Sequence, residues 1–140
     1  MKQQLAIITL GVKDLSRSKY FYVQGFGWTP IHENNDTIFY QMNGFVLSTW
    51  LQSALEEDMQ RPCLENNAGI TLAHNVASKE EVKVVLHKLA TTGGRILRDA
   101  EAPPHGGLRG YIADPDNHAW EIMWNPIWKT NEQGWVTLML

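Results

Sequence analysis

The sequence predicts an α+β fold in which one order of elements, strand–helix–strand–strand–strand, occurs twice. Three observations support this prediction. Apolar and polar residues alternate over several short stretches, and a period of two residues is typical of strands. In each half the opening strand is followed by a helix-capping residue and by apolar residues at helical spacing. The tripeptide Ile-Thr-Leu also occurs in both opening strands, at Ile8–Leu10 and at Ile70–Leu72, as expected for an internal duplication.

The first half begins with an alternating strand over Leu5–Val12. Asp14 is placed to cap a helix that begins at Leu15. Gly25 and Gly27 end this helix, because glycine adopts the left-handed conformation beyond a helix end at little cost. Three strands and then a short helix or crossover are predicted to follow, at Trp28–His32, Thr37–Met42, Phe45–Trp50 and Gln52–Met59.

The second half repeats this order from a strand over Gly69–Val76. Ser78 and Glu81 have the spacing of a capping box. Apolar residues behind it recur at i, i+3, i+4 and i+7, which predicts a helix; they are Val82, Val85, Leu86 and Leu89. A pair of glycines ends the helix, and the next strand is predicted at Arg95–Leu97.

A hairpin completes the second half, with strands over Gly110–Ala113 and His118–Trp124 around an Asp-Pro-Asp-Asn turn. The proline sets φ at the second turn position, and Asn117 tolerates the left-handed conformation that ends many turns. Because side chains alternate along a strand, Glu121 points to the face opposite Trp120. A carboxylate in the middle of an apolar strand is therefore the first candidate for a functional residue.

Two interpretations of Glu121 stay open at this stage. As a structural residue, Glu121 would pair with an arginine or accept a hydrogen bond from a Tyr or Trp side chain; the candidate arginines are Arg95, Arg98 and Arg109. As a functional residue, it would bind a polar group of a ligand or act as a base whose pKa is raised by burial.

Composition narrows the classes of function. The chain has 140 residues, a net charge of −3 and no basic run, which argues against binding to nucleic acid. No apolar stretch is long enough to span a membrane, and the first residues lack the cleavage pattern of a signal peptide. Cys63 is the single cysteine, so an internal disulfide is excluded and a reducing, cytoplasmic location is expected.

Two segments resemble the signatures of the vicinal-oxygen-chelate superfamily, which contains glyoxalase I, bleomycin-resistance proteins and extradiol dioxygenases. The first segment is Val12–Tyr22 with the following Gly25–Trp28, and the second is Gly110–Glu121. Asn117 occupies a position where the family usually has glycine. The resemblance implies two βαβββ modules whose mixed sheets curl into a cup, with the helices outside and the ligand inside.

The resemblance also implies the organisation of the chain. It suggests a single domain, 1–140, made of modules at about 4–62 and 67–126 with a C-terminal tail at 127–140. It further implies a homodimer. The tail contains two tryptophans and ends in an apolar run, so we expect it to pack on its own domain or on a partner subunit.

Metal-dependent members of this family hold a divalent cation with one side chain from the first strand and one from the last strand of each module. The resemblance assigns these positions to Ile7, to Ser48 with Leu47 or Thr49 as neighbours, to Thr71 (or Gly69 in a shifted register) and to Glu121. Isoleucine has no donor atom, and hydroxyl groups are poor ligands for transition metals. The sequence therefore predicts no resident metal ion.

The histidines do not replace the missing ligands. His74 is expected beneath a helix, and His118 on the face of Trp120. His105 lies in a predicted flexible loop, either solvated or contacting a ligand at the rim of the cup. His32 is expected at a hairpin end and His87 on a helix surface.

These observations together predict a protein that binds a small aromatic or hydrophobic organic molecule without a metal, similar to the bleomycin-resistance branch. The alternative is a glyoxalase-type lyase or isomerase, or a dioxygenase, with Glu121 as the catalytic residue and an atypical Zn, Ni, Fe or Mn site. The candidate ligand-binding residues are Thr9, Trp28, Tyr40, Ser48, Trp50, Thr71, His105, Glu121 and Met123. Neither a phosphate-binding loop nor a dinucleotide fingerprint occurs in the sequence.

Overall fold

The computed structural model describes residues 1–63, 69–128 and 130–136. The elements of its first half are β1 (Ile7–Val12), α1 (Leu15–Tyr20), a π-helical turn (Phe21–Gly25), β2 (Pro30–Glu33), β3 (Thr37–Gln41), β4 (Val46–Leu51) and α2 (Gln52–Met59). Those of its second half are β5 (Thr71–Asn75), α3 (Lys79–Thr91), β6 (Arg95–Glu101), β7 (Leu108–Ala113) and β8 (Ala119–Trp124). The predicted boundary between the modules falls largely on 64–68, outside the described residues.

The strands form two mixed sheets of four strands each, which do not close into a barrel. Their orders are β1-β4-β3-β2 and β5-β8-β7-β6, so the two modules have the same topology. The pairs β1–β4 and β5–β8 are parallel, and the other pairs are antiparallel. The predicted α+β fold of two βαβββ modules is thereby confirmed.

Capping residues start the two principal helices where the sequence predicts. The Asp14 carboxylate accepts a hydrogen bond from the Arg17 backbone N–H at 2.9 Å. The Ser78 hydroxyl accepts one from the Glu81 backbone N–H, and the Glu81 carboxylate accepts one from the backbone N–H of Ala77, the residue before the cap. The first helix continues beyond α1 as the π-helical turn, so its α-helical part is shorter than predicted.

One hydrophobic core joins the two modules. Each sheet turns one face towards this core, and aromatic rings from the first module meet Trp120 from the second. The Phe26 ring stacks on Trp28 with centroids 4.3 Å apart and lies 4.9 Å from Trp120. The helix face of both sheets is thus buried inside the chain.

A buried polar network sits within this core. The Tyr22 hydroxyl donates to Asp114 Oδ2 at 2.7 Å and accepts from the indole N–H of Trp120 at 3.2 Å. His118 Nδ1 lies 2.8 Å from the same carboxylate oxygen. Burial is the largest cause that raises the pKa of Tyr22, followed by the charge of Asp114. The network fixes the β7–β8 turn against the first module.

The strand β6 is longer than predicted, and the described part of the tail contacts the domain. The strand β6 runs to Glu101 instead of Leu97, with irregular pairing to β7. The added residues are mostly charged and lack the alternating pattern that predicts a strand. An edge strand can contain them because it pairs through its backbone and exposes its polar side chains. The tail forms a bridge between Thr130 and Val136 and touches its own chain, where Asn43 Nδ2 donates to the Gln133 carbonyl.

No helix in the described part of the chain is both long and apolar enough to cross a membrane.

Candidate functional site

The face of each sheet that is turned away from the core is called here the open face. Directly paired residues on neighbouring strands share a face, so the strand registers map this surface. On the second sheet, Glu121 pairs with Ala73 of β5 and with Tyr111 of β7. Tyr111 in turn pairs with Arg98 of β6. These four side chains form one row across the open face.

The hydrogen-bond partner of Glu121 is a tyrosine. The Tyr111 hydroxyl donates to Glu121 Oε1 at 3.0 Å, and both side chains are half-buried. Burial raises the pKa of Tyr111, and the hydrogen bond to Glu121 and the charge of Glu121 raise it further. Among the described residues the second carboxylate oxygen of Glu121 has no hydrogen-bond donor, so it can accept a hydrogen bond from a ligand.

The arginines that the sequence offers to Glu121 bind elsewhere. Arg98 forms an ion pair with Glu101, and Arg109 Nη1 lies 3.2 Å from the same carboxylate oxygen. The hydrogen bond from Arg98 is the largest cause that lowers the pKa of Glu101, followed by the hydrogen bond from Arg109. Arg95 donates instead to the side chain of Asn117 at 2.9 Å.

The open face of the first sheet is more apolar. Ser48 lies at its centre, paired with Thr9 of β1 and Phe39 of β3. Trp50 lies on the same face two residues later, and Ile7 lies at the edge. The Ser48 hydroxyl and the Trp50 indole N–H are buried and have no hydrogen-bond partner in the described structure. Buried polar groups of this kind are costly to leave unpaired.

One end of this face is covered by α2 and the residue Cys63. A Cβ atom on Gly11 would lie 3.1 Å from Cys63 Sγ and 3.3 Å from Leu55. Burial, and then the charge of Glu56, raise the pKa of the Cys63 thiol. A raised pKa disfavours the reactive thiolate, so Cys63 packs against the sheet as an apolar side chain.

Two candidate ligand-binding residues lie in the core and not on an open face. Tyr40 is 1% exposed and lies in the core beside Tyr22. Trp28 stacks on Phe26 in the same core. Strand alternation places Phe39, and not Tyr40, on the open face, because the core selects the face that carries the larger apolar set.

The other candidates are divided between the open faces and a loop. Thr9, Ser48 and Trp50 lie on the first open face, and Thr71, Glu121 and Met123 lie on the second. Of the neighbours that the sequence left open, Leu47 and Thr49 lie on the core face of β4, whereas Ser48 lies on the open face. His105 is exposed in the connection between β6 and β7.

The remaining histidines lie away from Glu121. The His74 ring lies edge-on to Phe26 at 5.4 Å, and burial lowers its pKa. His118 belongs to the buried network with Asp114. His32 is exposed on β2, and His87 is exposed on α3.

Tyr111 and Phe39 were not predicted as open-face residues, and Arg98 and Arg109 were considered only as partners of Glu121. A usable signal exists for Tyr111. Asp114 pairs with His118 around a three-residue loop at 115–117, and counting three residues outward from each places Tyr111 opposite Glu121. The two arginines depend on the irregular β6–β7 pairing, which no sequence pattern marks.

The donors around Glu121 do not fit a transition-metal site within one chain. Of its open-face neighbours, Ala73 has no donor atom and Met123 offers only a thioether sulfur. The Thr71 hydroxyl donates to the Ala119 carbonyl at 3.2 Å. Within residues 1–63, 69–128 and 130–136, no three His, Cys, Asp or Glu side chains are grouped so as to hold a metal ion. Ile7, at the position of a family ligand, offers no donor atom.

A family model for the Glyoxalase/Bleomycin resistance protein/Dioxygenase superfamily matches residues 4–122. The chain belongs to this superfamily. It is 51% identical to a glyoxalase-related enzyme from Fulvimarina pelagi, whose crystal structure superposes with a TM-score of 0.95 over 99% of this chain and 100% of that one. This superfamily member also resembles the metallothiol transferase FosB from Lysinibacillus sphaericus, with 25% identity over 123 residues, 86% of this chain and 81% of FosB. The fosfomycin resistance protein FosX from Listeria monocytogenes has the same fold, with a TM-score of 0.70 at 23% identity over 91% of this chain and 97% of FosX.

Proposed function

We propose that this superfamily member binds a small aromatic or hydrophobic organic molecule on its open faces without a resident metal ion. The observation that supports this proposal is the surroundings of Glu121. Its hydrogen-bond partner is the Tyr111 hydroxyl, and its neighbours on the sheet supply no imidazole and no second carboxylate. The carboxylate is therefore available as a hydrogen-bond acceptor for a ligand.

The chemistry of both open faces suits an organic ligand with a few polar groups. Phe39 and Trp50 offer apolar contact area. The unpaired Ser48 hydroxyl and Trp50 indole N–H would each gain a hydrogen bond from a ligand that reaches them, worth about 1 kcal/mol. We include Thr9, Thr71, Met123 and the loop residue His105 among the proposed ligand contacts.

We also propose that the protein acts as a cytoplasmic homodimer. Among the described residues of the tail, four apolar side chains are exposed in the single chain, namely Ile127, Trp128, Trp135 and Val136. A second copy that covers them would remove this apolar surface from water. Light scattering on the purified protein should give the mass of a dimer, and the double variant Trp128→Ser, Trp135→Ser should be monomeric. A monomeric wild-type protein would contradict this part of the proposal.

Metal analysis tests the metal-independent proposal. The purified protein is incubated with Zn²⁺, Ni²⁺, Fe²⁺ or Mn²⁺, dialysed, and assayed for metal by mass spectrometry, beside Glu121→Gln as the matched control. We expect well under one ion per chain in both proteins, and stabilisation by aromatic compounds in a thermal-shift screen with no metal added. One tightly held ion per chain that Glu121→Gln loses would refute the proposal.

The similarity to a glyoxalase-related enzyme and to FosB favours a second candidate, an enzyme that uses Glu121 as a base. A hemithioacetal isomerisation assay, run with and without each metal, tests the glyoxalase-type reaction. Turnover that disappears in Glu121→Gln would support an enzyme over a binding protein. The absence of turnover together with ligand binding would support the first proposal.

A further inference from the structure

Beside Glu121, the open face of the second sheet carries two guanidinium groups that share a single carboxylate. Arg98 and Arg109 both bind Oε1 of Glu101. Arg109 also donates to the Glu101 backbone carbonyl, at 3.4 Å. Counted without Glu121, the three side chains of this cluster, two cations and one anion, carry a net charge of +1.

Within the part of the chain that the structure describes, most N–H donors of these arginines have no acceptor. Each guanidinium carries five N–H donors, and the bonds within the described structure involve Nη2 of Arg98 and Nη1 of Arg109. The Arg109 side chain is 10% exposed, whereas those of Arg98 and Glu101 are about half exposed. A nearly buried cation is thus held in place, with a half-exposed cation and a half-exposed anion next to it.

The Tyr111 ring links this arginine cluster to Glu121. The guanidinium carbon of Arg109 lies 5.8 Å from the centroid of the Tyr111 ring, within the range of a cation–π contact. The Tyr111 hydroxyl at the other end of that ring binds Glu121. The arginines and the proposed ligand acceptor are therefore connected through one side chain.

Charge makes this arrangement unusual for the chain. The protein as a whole has a net charge of −3, and a general attraction for anions is not expected. The open face of the second sheet nevertheless carries Arg95, Arg98 and Arg109 against Glu101 and Glu121. A local positive excess on an acidic protein is a specific feature, and planar guanidinium groups match the geometry of a carboxylate.

We propose that Arg98 and Arg109 form an anion subsite that binds the carboxylate of an aromatic carboxylic acid, with Glu101 as the internal anion that the ligand displaces or supplements. This inference rests on the proposed binding function and specifies its ligand class. The aromatic body of the ligand then lies towards Tyr111, and Glu121 accepts a hydrogen bond from any donor that the ligand carries.

Acid and amide pairs of the same ring system test the subsite. Isothermal titration calorimetry on the full chain compares benzoate with benzamide, 1-naphthoate with 1-naphthamide, and indole-3-acetate with its amide. We expect the carboxylate of at least one pair to bind about tenfold more tightly than its amide, since charge-assisted hydrogen bonds exceed neutral ones. Affinity for the carboxylate, but not for the amide, should fall as salt is added.

One substitution that should weaken the preference for the carboxylate and one that should strengthen it test which residues form the subsite. Arg98→Gln, at an exposed position, should remove the preference for the carboxylate, and Glu101→Gln should increase it because the competing anion is lost. Arg95→Gln is the matched control, since Arg95 lies on the same face but binds Asn117, and it should leave the preference unchanged.

The outcomes separate this inference from the function on which it depends. Equal binding of acid and amide, or a preference that survives Arg98→Gln, overturns the anion subsite and leaves the binding function standing. Failure of every acid and every amide to bind overturns both.

Discussion

Replacing Tyr22 by phenylalanine removes one buried hydroxyl and nothing else. That hydroxyl is fully buried and donates to Asp114 Oδ2 at 2.7 Å while accepting from Trp120 Nε1 at 3.2 Å. The substitution therefore deletes two hydrogen bonds that tie the β7–β8 hairpin to the first module. The aromatic packing of the ring is retained.

The size of the effect follows from these two bonds. A hydrogen bond to a carboxylate contributes about 1.5–3 kcal/mol, and an indole N–H left buried without a partner costs about 1–3 kcal/mol. Asp114 keeps its contact with His118, which limits the loss. We expect Tyr22→Phe to lower the free energy of unfolding by about 3 kcal/mol, a large share of the stability of a domain of this size.

Urea denaturation followed by tryptophan fluorescence measures this change, and Tyr40→Phe provides a matched control. Tyr40 is also buried, but its hydroxyl has no hydrogen-bond partner in the described residues. Its removal should be neutral or stabilise by up to about 1 kcal/mol, because an unsatisfied polar group is lost. If Tyr22→Phe costs less than about 0.5 kcal/mol, or if both variants lose the same stability, the network does not join the modules as argued.

Three further predictions concern pH and the hairpin turn. Burial, and then the charge of Glu33, raise the pKa of Tyr40 from 10.0 to about 12. The contribution of the protonated Tyr40 to the free energy of unfolding is fully present below pH 10 and is lost as the pH rises towards 12. Urea midpoints should therefore fall less steeply above pH 10 in Tyr40→Phe than in the wild type. Burial lowers the pKa of His74 below 6.5. The contribution of His74 to the free energy of unfolding should therefore be fully present above pH 6.5 and decrease as the pH falls below it. Urea midpoints at pH 7.5 and 5.5 should differ less in His74→Phe than in the control His87→Gln. Asn117 has a φ of 70°, a left-handed conformation that glycine adopts easily and valine does not. Urea unfolding should show Asn117→Gly within about 0.5 kcal/mol of the wild type and Asn117→Val destabilised by about 1–2 kcal/mol. Equal effects of the two substitutions would contradict the left-handed turn.

Much of the fold could be predicted from short-range patterns. The helix starts at Asp14 and Ser78, the α2 helix and the 114–117 turn depend on residues within a few positions of one another, and local sequence reports on them directly. The face of Glu121 was predictable for the same reason, since alternation is a property of one strand. The errors appear where partners are distant in sequence, as in the extension of β6.

The candidate site shows the same division. Sequence alone was enough to predict the family and the two-module order, and both are confirmed. Tertiary structure decided that Tyr40 and Trp28 belong to the core, and that the partner of Glu121 is Tyr111 while Arg98 and Arg109 share Glu101. The physical reason is that helix caps, turns and alternation arise from neighbours along the chain, whereas burial and hydrogen-bond partnership across a sheet depend on strand register and on which face the core covers.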